Sequence, residues 1–157
     1  MRKLVTVPDK VLKTRGRDLD VFDHDDKELI RELRGQLDKV MRSHKALGIT
    51  AHQIGEAVNL FIVSPHKLQG TKKCNCFINA SFEGIGEKID SEESCLSIPG
   101  KTFKVRRYPR VEVTFLMLNG RERTKRFSGL TARCIQQECD HVNGILLSDV
   151  GELVEES

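Results

Sequence analysis

Leu130-Thr-Ala-Arg-Cys-Ile-Gln-Gln-Glu-Cys-Asp-His-Val-Asn-Gly144 is the stretch on which the reading of this chain turns. Leu130, Cys134, Ile135, Glu138, His141 and Val142 fall along one side at helical spacing. Gly144 supplies a C-terminal stop. Glu138 and His141 are three residues apart and so share a helix face. A His at position 137 would complete H-E-x-x-H. In that pattern two imidazoles one turn apart hold a metal, and the Glu serves as general base. The residue present is Gln137. Taken alone, the Glu138–His141 pair is weak evidence, since a buried His near a Glu is more often structural.

The segments before this helix predict strands. Val111 to Leu118, then Asn119-Gly120, then Arg121 to Phe127 read as a hairpin, with Asn-Gly predicting a tight primed turn. Val58 to Ser64 is a continuous apolar run of strand length, and Cys76 to Phe82 a second candidate. Residues 83–94 are acidic and predict a loop or an edge strand. Further upstream Leu29, Ile30, Leu33, Leu37, Val40 and Met41 form one apolar helical stripe. Asp25 and Asp26 suit its start, and His44 and Lys45 its end. Strands between two helices predict an α+β fold. No repeat, low-complexity tract or linker interrupts the chain, which predicts a single domain over 1–157.

Composition narrows the classes. The 157 residues are 38% hydrophobic and 31% charged, as in a soluble globular domain. A net charge of +3 is too small for a dedicated nucleic-acid scaffold. No apolar run approaches the roughly 20 residues of a membrane span. The opening residues show no secretory apolar region, and five cysteines are an odd number. Both point to a reducing cytoplasm.

Two more segments carry candidate chemistry. One is Glu93-Ser94-Cys95-Leu96-Ser97-Ile98-Pro99-Gly100, and the other Ala46-Leu47-Gly48-Ile49-Thr50-Ala51-His52-Gln53. Alone, Cys95 reads as an inert small hydrophobe, and the second segment as a tight loop entering a buried strand. Together with Gln136-Gln137-Glu138-Cys139-Asp140-His141 they resemble, in order and spacing, the peptide deformylase family. Its patterns are a G-x-G-x-A-A-x-Q-like loop, an E-G-C-L-S loop and Q-H-E-x-D-H on a helix. The resemblance covers nearly the whole chain. It implies antiparallel or mixed sheets packed around a central motif-bearing C-terminal helix, with an N-terminal amphipathic helix.

The resemblance also implies an activity, the metal-dependent removal of the formyl group from N-terminal formyl-methionine. Members hold a divalent metal, often Fe(II), with one Cys and two His; Zn, Ni or Co suit the same donors. By position Cys95 would be the thiolate ligand, His141 an imidazole ligand, and Gln137 would stand at the third place. Glu138 would move the proton. The Gln53 amide and the Leu96 backbone N–H would stabilise the oxyanion. Gly48 and Ile49 would flank the peptide, and Leu130 and Cys134 would line a pocket for the methionine side chain. Glu93 and Asp140 look like supporting residues. The implied partners are formyl-methionyl peptides and nascent chains at the ribosome, with no DNA and no membrane.

Departures from the pattern matter. A Gln amide oxygen is a neutral, hard ligand, and losing an imidazole weakens a site by several kcal/mol, about half the ~10 kcal/mol scale of a good one. Gln136 lies one residue off the metal-facing spacing. Nothing in the sequence places His52 near Cys95 as a replacement. Ala46, Thr50 and Ser94 are lesser departures. Three readings follow: a deformylase impaired by Gln137, an inactive homologue that binds N-terminal peptides, and a metal-free thiol hydrolase using Cys95 with His141. Arg106, Arg107, Arg110, Arg121, Arg123, Lys125 and Arg126 read as a solvated basic edge rather than an RNA-facing patch. Cys74-Asn75-Cys76 lacks the second pair of a zinc ribbon. Cys139 reads as a core residue.

Overall fold

A five-stranded sheet lies between two helices in the computed structural model, which describes residues 2–64 and 75–157. Helix α1, His24–Ser43, begins where the Asp23 carboxylate accepts the Asp26 N–H at 3.0 Å. The amphipathic stripe predicted for it is buried: Ile30, Leu33, Leu37, Val40 and Met41 face inward.

The large sheet comprises β1 (Gly48–Thr50), β2 (Leu60–Val63), β3 (Cys76–Ile85), β6 (Arg110–Leu116) and β7 (Glu122–Ser128), in the order β1-β2-β3-β6-β7. A three-stranded sheet runs β4 (Ile89–Cys95), β5 (Ile98–Arg107), β8 (Glu152–Glu156). Every strand pair is antiparallel. The acidic stretch read as a loop or edge strand is the end of β3 and then β4, at the edge of the small sheet.

Strand β2 shows why its sequence is apolar throughout. Leu60 and Ile62 pack with α1 in one cluster, while Phe61 and Val63 join a second cluster on the opposite face. A strand covered on both faces has no polar side to present. The second cluster is closed by helix α2, Gly129–Val142, through Ala132, Ile135, Cys139 and Val142. Phe61 stacks on Phe77 at 4.8 Å between ring centres, and Phe115 and Phe127 tilt against Phe77. Gly144, with φ 75°, follows the last turn of α2 as predicted.

The hairpin differs in its turn. Met117 N–H bonds Arg121 O, Gly120 N–H bonds Met117 O, and only Gly120 has positive φ. This is a longer connection with a left-handed Gly, not the two-residue primed turn that Asn-Gly predicts. A second difference concerns Arg107, read as part of the exposed basic edge. Its side chain is 5% exposed, because Phe103, Val105 and Arg107 alternate onto the covered face of β5. Cys139 is buried, as read, and Cys74 lies outside the described residues.

A third cluster holds Cys95, Ile98, Phe103 and Val105 of the small sheet against Leu12, Leu146 and Leu147. It seats the end of β4 beside the last turn of α2, and there the three motif segments converge.

Candidate active site

Cys95 ends β4, where the strand turns back into β5. Its Sγ lies 3.2 Å from Nε2 of His141, in the last turn of α2. The Ser97 backbone N–H points at the same sulfur from 3.4 Å, and the Gln53 side-chain amide from 3.6 Å. Gln53 sits in a 3-10 turn, Ala51–Ile54, entered from the short strand β1. Its Oε1 accepts the Thr50 N–H at 3.0 Å and the Thr50 hydroxyl at 3.3 Å. Its NH2 group is therefore turned toward Cys95 and Ser97 Oγ, the latter at 3.2 Å. Ser97 Oγ in turn donates to Val5 O at 2.7 Å, pinning the N-terminal segment over the site.

Glu138 lies one turn before His141 and is 2% exposed. Its Oε1 has no protein partner among the described residues. Burial, assisted by the negative Glu93, pushes its carboxyl up to about 8. Burial likewise pushes the Cys95 thiol up to about 12 and holds His141 down at about 4. Without a further positive charge, Cys95 and His141 are therefore a neutral thiol and a neutral imidazole. That arrangement disfavours the metal-free thiol hydrolase, which needs a thiolate.

Gln137 faces a different neighbourhood. Its Nε2 donates to Glu93 Oε1 at 3.1 Å. Glu93 is gripped by Arg107 through Nε at 3.0 Å and Nη2 at 2.8 Å, and Arg107 Nη1 reaches Asp140 at 2.6 Å. Glu93 and Asp140 are joined by an arginine that sequence reasoning placed on the surface. The alternation of Phe103, Val105 and Arg107 was the signal that could have found it. Because a carboxylate only accepts, Glu93 fixes the Gln137 amide with its NH2 end inward and Oε1 uncommitted.

Some of these groups border a cavity of about 310 Å³. Gly48, Gln53, Leu96, Leu130, Cys134 and Gln137 line it, with Cys95 and Glu138. Gly48 is there for closeness. A Cβ on it would come within 2.9 Å of Cys134 Sγ, 3.2 Å of Glu138 Oε2 and 3.2 Å of Ile62 O. Leu130 is half exposed at the mouth, and Cys134 is half-buried. Ile49 is placed differently: its side chain is fully buried in the core that packs on α1, so only its backbone borders the edge of β1. Gln136 is buried, spanning the Tyr108 N–H and C=O at 2.9 Å each. Ser97 is a site residue the sequence reading did not single out.

The donor chemistry was tested for a divalent metal. Cys95 and His141 offer a thiolate and an imidazole, with two N–H groups on the sulfur that favour its charged form. The uncommitted Gln137 Oε1 offers a neutral third oxygen. Two strong donors and a weak third fit a borderline transition ion held less tightly than by three. Among the described residues, no three His, Cys, Asp or Glu side chains gather as a metal cluster.

The comparisons with known proteins converge with this geometry. The sequence model of the polypeptide deformylase family matches residues 1–155. A peptide deformylase of Wolbachia pipientis is 37% identical over 153 residues, covering 91% of this chain and 83% of the relative. One from Thermodesulfovibrio yellowstonii is 34% identical over 149 residues, covering 90% and 84%. In three dimensions, peptide deformylase from Thermotoga maritima superposes with a TM-score of 0.83 at 26% identity, over 96% of this chain and 97% of that one. The Synechococcus elongatus enzyme in complex with actinonin gives 0.82 at 32% identity, over 96% and 79%. Fold and motif set together are those of a metal-dependent hydrolase family. The chain belongs to the polypeptide deformylase family.

Proposed function

We propose that this chain hydrolyses the N-terminal formyl group of formyl-methionyl peptides, at a rate lowered by Gln137. The observation that carries the proposal is the buried convergence of Cys95, Gln53 and Glu138 on one cavity, with His141 Nε2 set against the Cys95 sulfur behind it. Cys95, His141 and Gln137 Oε1 would hold one divalent ion, with Fe(II) the native choice and Zn, Ni or Co acceptable to the same donors. The ion, when bound, supplies Lewis acidity that polarises the formyl carbonyl and acidifies a water.

The other steps belong to the protein. The Gln53 NH2 group, already oriented by Thr50, donates to the oxygen that gains charge as the formyl carbon becomes tetrahedral. The Leu96 N–H is the proposed second donor. Glu138 takes a proton from the attacking water and returns it to the leaving amine. Its burial keeps competing water and charge away. The peptide lies along β1, which is the edge strand of the large sheet among the described residues. Gly48 and the Ile49 backbone flank it there, while Leu130 and Cys134 take the methionine side chain. The proposed setting is the cytoplasm, on nascent chains, with neither DNA nor a membrane as partner. No helix among the described residues is long and apolar enough to cross a bilayer.

One observation favours a second reading. Gln137 is already held by Glu93, so the chain could retain the groove as an inactive binder of N-terminal peptides. Anaerobic turnover of a formyl-Met tripeptide by Fe(II)- or Ni(II)-loaded protein, beside Gln137→His, separates the two. Turnover by both supports the deformylase, and turnover by the His version alone supports the binder. Silence from both overturns the deformylase reading.

A further inference from the structure

His52 is a buried imidazole that the proposed chemistry leaves unused. Its ring is fully enclosed, and its Nε2 lies 2.8 Å from the Thr14 carbonyl oxygen. A carbonyl only accepts, so Nε2 carries the proton and Nδ1 presents a lone pair. That Nδ1 has no protein partner among the described residues. His141 has the complementary arrangement. Its Nε2 faces Cys95 Sγ at 3.2 Å, and its buried Nδ1 is likewise without a protein partner.

The fold brings the two rings into one region. The 3-10 turn carrying His52 packs against α2, which carries His141. The ring of His52 lies over Gly16, where a Cβ would stand 2.8 Å from its Cε1. Gly16 is tied to the end of α2 by its N–H to Val142 O at 2.7 Å. A positive charge on His52 would oppose one on His141. Buried polar atoms without a protein partner are commonly satisfied by an ordered water.

We propose that one buried water bridges His52 Nδ1 and His141 Nδ1, and that His52 thereby holds His141 with its Nε2 lone pair toward Cys95. The water donates to His52 Nδ1 and accepts from His141 Nδ1–H. His141 Nε2 is then bare, ready for the Cys95 S–H in the metal-free protein or for an ion when one is bound. His52 is a positioning residue, not a ligand. Its consequence for metal binding rests on the deformylase reading, whereas the bridge itself does not.

The test uses metal-free, full-length protein with 15N-labelled histidine. In the wild type, His141 is expected as a single neutral tautomer, with a slowly exchanging proton on Nδ1 and Nε2 bare. His52→Phe keeps a buried ring and removes the acceptor; a sizeable share of the Nε2–H tautomer should appear. Ni(II) binding should weaken about 10- to 100-fold in that variant, the range for lost support of a ligand. His52→Gln, which retains an acceptor, should stay nearer the wild type. An unchanged His141 tautomer in His52→Phe overturns the proposal, whatever happens to Tm. If that variant does not fold, the wild-type spectrum alone decides, and an Nε2–H tautomer there overturns it. A wild type that binds no Ni(II) counts against the metal in the proposed function while leaving the nitrogen spectra to judge the bridge.

Discussion

Two adjacent turns of α2, those of Gln137 and of His141, meet opposite surroundings. The turn of His141 looks onto a sulfur, an amide and a cluster of apolar side chains. The turn of Gln137 looks onto Glu93, Arg107 and Asp140, a chain of ions. On the first side the groups are neutral and their geometry is set by burial. On the second the geometry is set by charge, and charge has fixed which end of the Gln137 amide points away. The lesson is that an amide on the ionic side is oriented by the carboxylate beside it rather than by burial. The Gln137 amide is held through its Nε2 by Glu93, which favours the fold.

The widest test of this contrast is Glu138→Gln, because Glu138 serves both sides. Turnover should fall about 10²- to 10⁴-fold, the usual worth of a general base. Tm should hold, since the replaced oxygen Oε1 has no protein partner to lose. Breaking the ionic side comes next. Arg107→Leu leaves Glu93 and Asp140 uncompensated, and denaturant unfolding should show a loss of about 3–5 kcal/mol. Adding Glu93→Gln to it should recover part of that loss.

Gln137→His sharpens the contrast in the other direction. Metal affinity, measured by chelator competition, should rise about 10³- to 10⁴-fold, with turnover following. Gly48→Ala probes the boundary between the two turns, where the new methyl meets Cys134 Sγ and Ile62 O. It should cost about 1–3 kcal/mol, and combining it with Cys134→Ala should restore part.

The smallest effect lies far from both turns and serves as a control. The Arg17 guanidinium, at 2.7 and 3.1 Å, holds the Asp26 carboxyl at about 2, below its ordinary value near 3.8. A lowered folded pKa gives stability that is full above the unfolded value and is lost as pH falls through the folded one. Unfolding midpoints between pH 5 and pH 2 should therefore fall less steeply for Asp26→Asn than for the wild type, with the site unaffected.

Periodicity was enough for α1 and α2, a continuous apolar run for β2 and the Asn119-Gly120 pair for the hairpin. The order of three motif segments reached the family, since their spacing reflects which strands and helix must meet. Turn chemistry was less legible: Asn119-Gly120 is compatible with more than one connection, and strand register chose the longer. Arg107 was misread because its neighbours Arg106 and Arg110 share its chemistry, and only the pleat separates the inward position from the outward ones. Ile49 faces the core for the same reason.

By itself the sequence determined the α+β class and the family, and it placed Gln beside Glu138 at position 137, since each of these is a matter of pattern and identity. Only the tertiary structure decided how Gln137 is held, which carboxylates Arg107 joins, and where His52 lies. Those depend on contacts between residues 14 to 44 positions apart, and hydrogen-bond direction there is set by whichever donor or acceptor the fold brings alongside.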